Sequence, residues 1–195
     1  MIPKLIFYFI LIIFFIKCSS NDKSNESSHS YSNNWFNYCN KSGGYSIQFP
    51  NEPTDYDTVI TGHFSKYNLN SYFISYNPYK NEYNNFYLIE HKIYSDSILK
   101  LIGLKDFELI NSQIDTIQKL FESEIVRSEI EKSDIGYCKA KRVKMFNADK
   151  STILSVKVIF CNNTLYTLMV SSTPKEQRNI YINKYMNSFA IKNCK

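Results

Sequence analysis

The residues most able to do chemistry in this chain of 195 are five cysteines: Cys18, Cys39, Cys138, Cys161 and Cys194. Cys18 follows an apolar run and precedes Ser19-Ser20, a setting in which a cysteine is acylated and becomes a mature N-terminus. The other four allow three disulfide pairings. The histidines offer less. His63 and His91 lie 28 positions apart without a metal-ligand pattern, and His29 sits in a Ser/Asn tract and reads as solvated. There is no Gly-x-Ser-x-Gly elbow, no His-Glu-x-x-His and no phosphate-cradling glycine loop. The inventory names no catalytic residue, no metal and no cofactor. An enzyme with a scattered site would need His63 or His91 beside a carboxylate in a deep pocket.

Two further groups could bind. Glu122, Glu124, Glu129 and Glu131, followed by Asp134, place carboxylates at strand spacing. Such a row could face Ca²⁺, but it lacks the turn that wraps ligands around an ion, and it reads equally as a charged strand edge that resists aggregation. The stretch 67–94 is rich in tyrosine and asparagine, with Tyr72, Tyr76, Tyr79, Tyr83 and Tyr87 as a candidate aromatic surface. Exposed tyrosines offer flat apolar faces and hydroxyls to a glycan or protein partner. Strand propensity alone accounts for the same enrichment.

Charge narrows the partner classes. Lys+Arg total 23 against 18 Asp+Glu, a net of +5, and only Arg127, Arg142 and Arg178 are arginines. No run concentrates cations as a nucleic-acid groove requires, so nucleic acid is excluded as a partner at this level. Hydrophobic residues at 44% and charged residues at 21%, with 5 Gly and 5 Pro, describe a globular chain and exclude a polytopic membrane protein or a collagen-like one.

The N-terminus speaks to compartment. Residues 5–16 are uninterrupted apolar and aromatic, flanked by Lys4 and Lys17. Twelve helical residues rise about 18 Å, short of a bilayer core of roughly 30 Å, so a signal peptide fits better than a spanning helix. Two processing routes fit: acylation of Cys18, as in bacterial lipoproteins, although Lys17 replaces the usual small residue; or ordinary cleavage after Ser20. The first expects a membrane-anchored envelope protein, the second a periplasmic or secreted one. Residues 19–34 have no aliphatic side chain and are expected to form a disordered tether. The division is therefore 1–18 signal, 19–34 tether and 35–195 a single domain.

Within the domain, Tyr45-Ser46-Ile47-Gln48-Phe49 alternates as a strand after Gly43-Gly44, and 57–64, 71–76 and 86–93 are further strand candidates. Ser95 and Gly103 bound a short predicted helix, and Ile110, Ile114, Ile117 and Phe121 mark a second over 112–122. Residues 153–160 and 165–170 form a hairpin about Asn162-Asn163, apolar on both faces, so this sheet must be covered on both sides. Thr173-Pro174-Lys175-Glu176 opens a last helix with Ile182, Tyr185, Met186 and Phe189 as its buried stripe.

This order of elements resembles the Mog1/PsbP-like family, in particular its small exported bacterial members. The likeness is carried by Gly44-Tyr45-Ser46-Ile47-Gln48-Phe49-Pro50 with Pro53, by Asp134-Ile135-Gly136-Tyr137, by Val156 to Phe160, by Asn163-Thr164-Leu165-Tyr166-Thr167-Leu168 and by Tyr185-Met186-Asn187-Ser188-Phe189. It spans most of 45–191 and is weakest over 79–111. The resemblance implies an α+β fold, an antiparallel β-sheet covered by helices on both faces in an α/β/α sandwich. It implies no single function, since the family includes a photosystem accessory subunit, a GTPase-binding protein and secretion chaperones.

Register bears on the thiols. If 145–154 turns about Asp149-Lys150, Cys138 faces Cys161 within bridging reach. Cys39 and Cys194 are left, one at each end of the domain. Export would favour both bridges, and buried free thiols are the alternative. The expectation is a non-enzymatic, exported, lipid-anchored binding or accessory module of the cell envelope, with a protein or glycan partner. The alternative is a chaperone-like protein that shields apolar segments of a client.

Overall fold

The structure is a computed structural model that describes residues 35–50, 58–60, 71–76, 86–132, 137–174 and 180–191. The expected signal segment and tether lie outside the described residues. The centre is a hairpin of β8 (Ile153–Cys161) and β9 (Thr164–Ser172), turned by Asn162 and Asn163 with φ of 49° and 59°. Both lie in the left-handed region, which asparagine tolerates and a two-residue hairpin of this twist demands. Cys161 therefore faces Thr164, Ile159 faces Tyr166, and Val156 faces Met169. All nine residues of β9 are buried.

Outward from this pair the sheet grows by antiparallel neighbours. On one side β7 (Lys139–Asn147) joins β8 through a turn in which Lys150 has φ of 57° and Asn147 Oδ1 accepts from Thr152 N at 2.8 Å. Lys139 faces Phe160 and Phe146 faces Ile153, the register expected from a turn at Asp149-Lys150. Beyond it β6 (Ser123–Lys132) forms the edge. On the other side β9 pairs β5 (Phe86–Ile93), which pairs β4 (Ser71–Tyr76), which pairs β3 (Thr58–Ile60). A separate three-stranded sheet has β2 (Tyr45–Phe49) between β1 (Phe36–Asn40) and β10 (Ala190–Ile191).

Two cores follow from the two apolar faces. One face packs on α2 (Asp106–Leu120): Val143, Met145, Leu154, Val156, Val158 and Met169 meet Leu109, Ile110, Ile114 and Ile117. The preceding α1 (Asp96–Ile102) adds Ile98, Leu99 and Ile102 at the margin. Ser95 Oγ caps α1 by accepting from Ile98 N, and Gly103 ends it with φ of 65°. The second helix starts six residues before the expected 112. Glu108 Oε2 accepts from Lys105 N at 2.6 Å, a carboxylate cap that its apolar spacing does not announce.

The opposite face packs on α3 (Ile180–Ser188) and on the small sheet together. On this face the layer is shared between a helix and a small sheet, and each buries part of the face. Tyr45, Ile47 and Phe49, on alternate positions of β2, bury against the remainder. Ile182, Tyr185 and Met186 form the buried stripe of α3 as expected, and Phe189 packs beside them. The expected cap at Glu176 lies outside the described residues.

Because Ile110 is fully buried between α2 and the sheet, Ile110→Ala should cost about 2–5 kcal/mol. Urea unfolding should show a lower midpoint with an unchanged slope.

Candidate functional site

The thiols come together as register requires. Cys138, one residue before β7, is bonded to Cys161 at the end of β8, with their Cα atoms 4.7 Å apart. Cys39 on β1 is also disulfide-bonded. Its partner, Cys194 and Cys18 all lie outside the described residues.

Of the expected aromatic surface, Tyr87 turns inward. Tyr87 is 1% exposed and belongs to the core, its ring 5.1 Å from that of Tyr185. Period-two alternation puts it on the α3 face of β5, which the small sheet and α3 close off from water. Tyr72 and Tyr76 lie on β4, paired with His91 and Tyr87. Tyr79, Tyr83 and His63 lie outside the described residues.

His91 is a core residue as well. It is fully buried, edge-on to the Tyr45 ring at 5.6 Å. Burial holds its pKa at about 4, so the imidazole is neutral at pH 7. Around it Tyr166 Oη donates to the Gly43 carbonyl at 2.8 Å, and a Cβ at Gly43 would meet the Tyr45 ring at 2.5 Å, which is why glycine stands there. Burial also pushes the Tyr185 hydroxyl well above its usual range, with Tyr45 and Tyr87 adding to the effect. The ring cluster is uncharged.

On the α2 face, polar groups close a ring of their own. Lys92 Nζ lies 3.1 Å from Glu90 Oε1 and donates to Gln113 Oε1 at 2.8 Å, while Gln113 Nε2 donates to Glu90 Oε2 at 3.1 Å. Burial, and then the nearby Glu90 charge, raise Tyr94 to about 12.

A groove opens on the α3 face. It has a volume of about 380 Å³ and lies between α3 and the β6–β7–β8 corner, lined by Arg127, Glu129, Arg142, Val143, Lys144, Ser155, Ile182 and Asn183. Cross-strand pairing builds it: Arg127 faces Lys144, which faces Ser155, and Glu129 faces Arg142, which faces Lys157. Arg142 Nη2 donates to Asn183 Oδ1 of α3 at 2.7 Å. Glu131 takes Lys157 at 2.7 Å and approaches Arg142 at 3.8 Å, and Glu129 pairs with Arg127. Among the described residues no group of three His, Cys, Asp or Glu could hold a metal ion, and the carboxylates of Glu129 and Glu131 are engaged by these cations rather than arrayed for Ca²⁺.

Sequence reasoning gave the groove's cations no role. They are Arg127, Arg142 and Lys144, the last two on one face of β7. Strict alternation was available to bring those two together. A bulge between Ile125 and Arg127 in β6 was not.

The chain is similar to cyanobacterial PsbP. The solution structure of that protein from Synechocystis sp. PCC 6803 aligns with a TM-score of 0.48 and 14% identity, over 87% of this chain and 98% of the other. A protein of unknown function from Pseudomonas aeruginosa, described as a candidate regulator, aligns with a TM-score of 0.42 and 9% identity, over 76% and 90% of the two chains. A scan of protein-family models finds no match, and neither does a search of curated proteins.

Two outcomes are expected. His91 has a folded-state pKa of about 4 and an ordinary value of 6.5, so on acidification the unfolded chain takes up a proton first. Stability should therefore fall as pH drops from 6.5 towards 4, by at most roughly 3 kcal/mol from this group. Urea midpoints across that range should show a shallower fall in His91→Phe. Non-reducing peptide mapping should recover Cys138 joined to Cys161, and Cys39 joined to Cys194. Replacing both Cys138 and Cys161 by alanine should cost about 3.5 kcal/mol in the chain-entropy account of a bridge of this span.

Proposed function

We propose that this chain is an exported accessory protein of the cell envelope, anchored through acylated Cys18 and acting by binding a partner protein rather than by catalysis. The observation that carries the reading is the Cys138–Cys161 bridge. A buried disulfide between adjacent strands persists in an oxidising compartment and is rare in a reducing one. It agrees with the apolar run at 5–16, and among the described residues no helix is long and apolar enough to cross a membrane. The Ser/Asn-rich stretch 19–34 would give the domain a flexible reach of roughly 20–25 Å from the membrane.

A second reading, a chaperone-like protein for apolar client segments, draws on the edge strand. Val126 and Ile130 on β6 are 57% and 71% exposed, with Tyr137 exposed nearby. Lys141, which faces Ile130 from β7, interrupts that surface, so binding through polar contacts is the stronger account.

The anchor has a direct test. Intact protein from its own membrane should partition into the detergent phase, and Cys18→Ala should move it to the aqueous phase or leave it unprocessed. One acyl chain holds weakly, so stable retention implies several chains on the cysteine. An unmodified mature N-terminus at Asn21 would overturn acylation and select cleavage after Ser20.

A further inference from the structure

We infer that the outer edge of β6 is a self-association surface, on which a second copy of this chain adds its own β6, antiparallel and in a register centred on Ser128. The inference goes beyond the reading of the chain as an accessory protein and uses neither its anchor nor its groove.

The first ground is the edge itself. β6 ends the seven-stranded sheet, and among the described residues no strand pairs with its outer side. The backbone N–H and C=O groups along such a side are a template for another strand. Residues 124–130 are exposed without a break, and they include Ile125, Val126 and Ile130. Edges that stay single are blunted by lysine, proline or brevity. Over its ten residues β6 has a single lysine, at the last position, and no proline. The bulge lies toward one end, and from Arg127 to Lys132 the pairing with β7 is regular.

The order of charges selects the occupant. Two antiparallel strands related by a two-fold axis set one residue opposite its own copy and reflect the others about it. Centred on Ser128, Arg127 of each copy faces Glu129 of the other, and Ile130 of each faces Val126 of the other. Centring on Arg127 or on Glu129 sets that residue against its own charge, and centring on Ile130 sets Glu129 against Glu131. Like charges directly opposite destabilise a strand pair, whereas unlike charges support it. Ser128, small and uncharged, tolerates its own copy at the axis. Arg127 already holds Glu129 of its own strand, Nε donating to Oε1 at 2.6 Å, and the pairing keeps that contact. A guanidinium has more donors than one carboxylate uses. Each guanidinium then has one carboxylate along its strand and another across it, so the signs alternate round the axis. No excess of either charge is required. A foreign strand would have to match this order by its own sequence, whereas a second copy matches it by symmetry.

The test is sedimentation of the full-length protein in density-matched detergent over a range of concentrations. A monomer–dimer equilibrium is expected. Arg127→Glu should weaken it by at least about tenfold, because Glu then meets Glu129 on both sides of the axis. Glu129→Arg should do the same, because Arg then meets Arg127. Both side chains are exposed, so each variant should fold. Mixing the two variants should restore a dimer of one chain of each kind, since unlike charges then meet at every contact. Neither variant retains the Arg127–Glu129 pair within its own strand, so recovery on mixing can come only from pairing between chains. Ser128→Cys should form a reducible dimer under mild oxidation, whereas Lys100→Cys, on exposed α1, should not. A chain that is monomeric at every concentration, leaving the edge to a foreign strand, would overturn the assignment. So would a dimer indifferent to Arg127→Glu, a mixture that stays monomeric, or Ser128→Cys chains that cross-link no faster than Lys100→Cys.

Discussion

The turn at Asn162 and Asn163 assigns every side chain of β8 and β9 to one face or the other, and both cores are stacked against that assignment. Two residues with positive φ allow a hairpin with no slack. A slip of one residue would exchange Ile159, Tyr166 and Leu168 for Val158, Thr167 and Leu165 across the sheet. Since both faces are apolar, hydrophobicity by itself would not resist such a slip strongly. Shape and partner chemistry must. The α3 face holds large rings that interlock around Tyr45 and Tyr185, whereas the α2 face holds aliphatic side chains that fit a helix.

The two faces also handle polarity differently. Against α3 and the small sheet, burial keeps ionisable groups neutral: His91 stays unprotonated and the tyrosine hydroxyls stay protonated. Against α2, Glu90 and Lys92 pair with each other and close into a ring through Gln113. Such a ring is worth little net stability compared with apolar packing, but removal of any one member leaves another stranded. Its effect is positional, since it fixes how far α2 lies along β5.

Much of this was legible in the sequence, for physical reasons. The β7–β8–β9 register followed from turn residues and strict alternation, and it brought Cys138 to Cys161. The helix bounded by Ser95 and Gly103 followed from cap chemistry. What was not legible depended on tertiary context. Tyr87 carries the same residue type as an exposed tyrosine, and only the layer above β5 makes it core. The start of α2 rested on one glutamate reaching back to a backbone N–H. The layer formed by β1, β2 and β10 depended on pairing between segments far apart in the chain, Ala190 with Ser46 and Ile191 with Tyr45. The groove was not legible, because Arg127 joins Arg142 and Lys144 only beyond the irregular position in β6.

That position is the bulge of β6. In a regular strand the identity of a residue and its parity together fix where it points. Ile125 faces Met145 and Arg127 faces Lys144, so Val126 is an extra residue between two neighbours that an unbroken ladder would place side by side. Deleting Val126 would close the ladder and leave Arg127, Glu129 and Glu131 on the face they hold now. The chemistry of this corner therefore survives loss of the irregularity, because it is fixed by pairing with β7 and not by the count of residues before it.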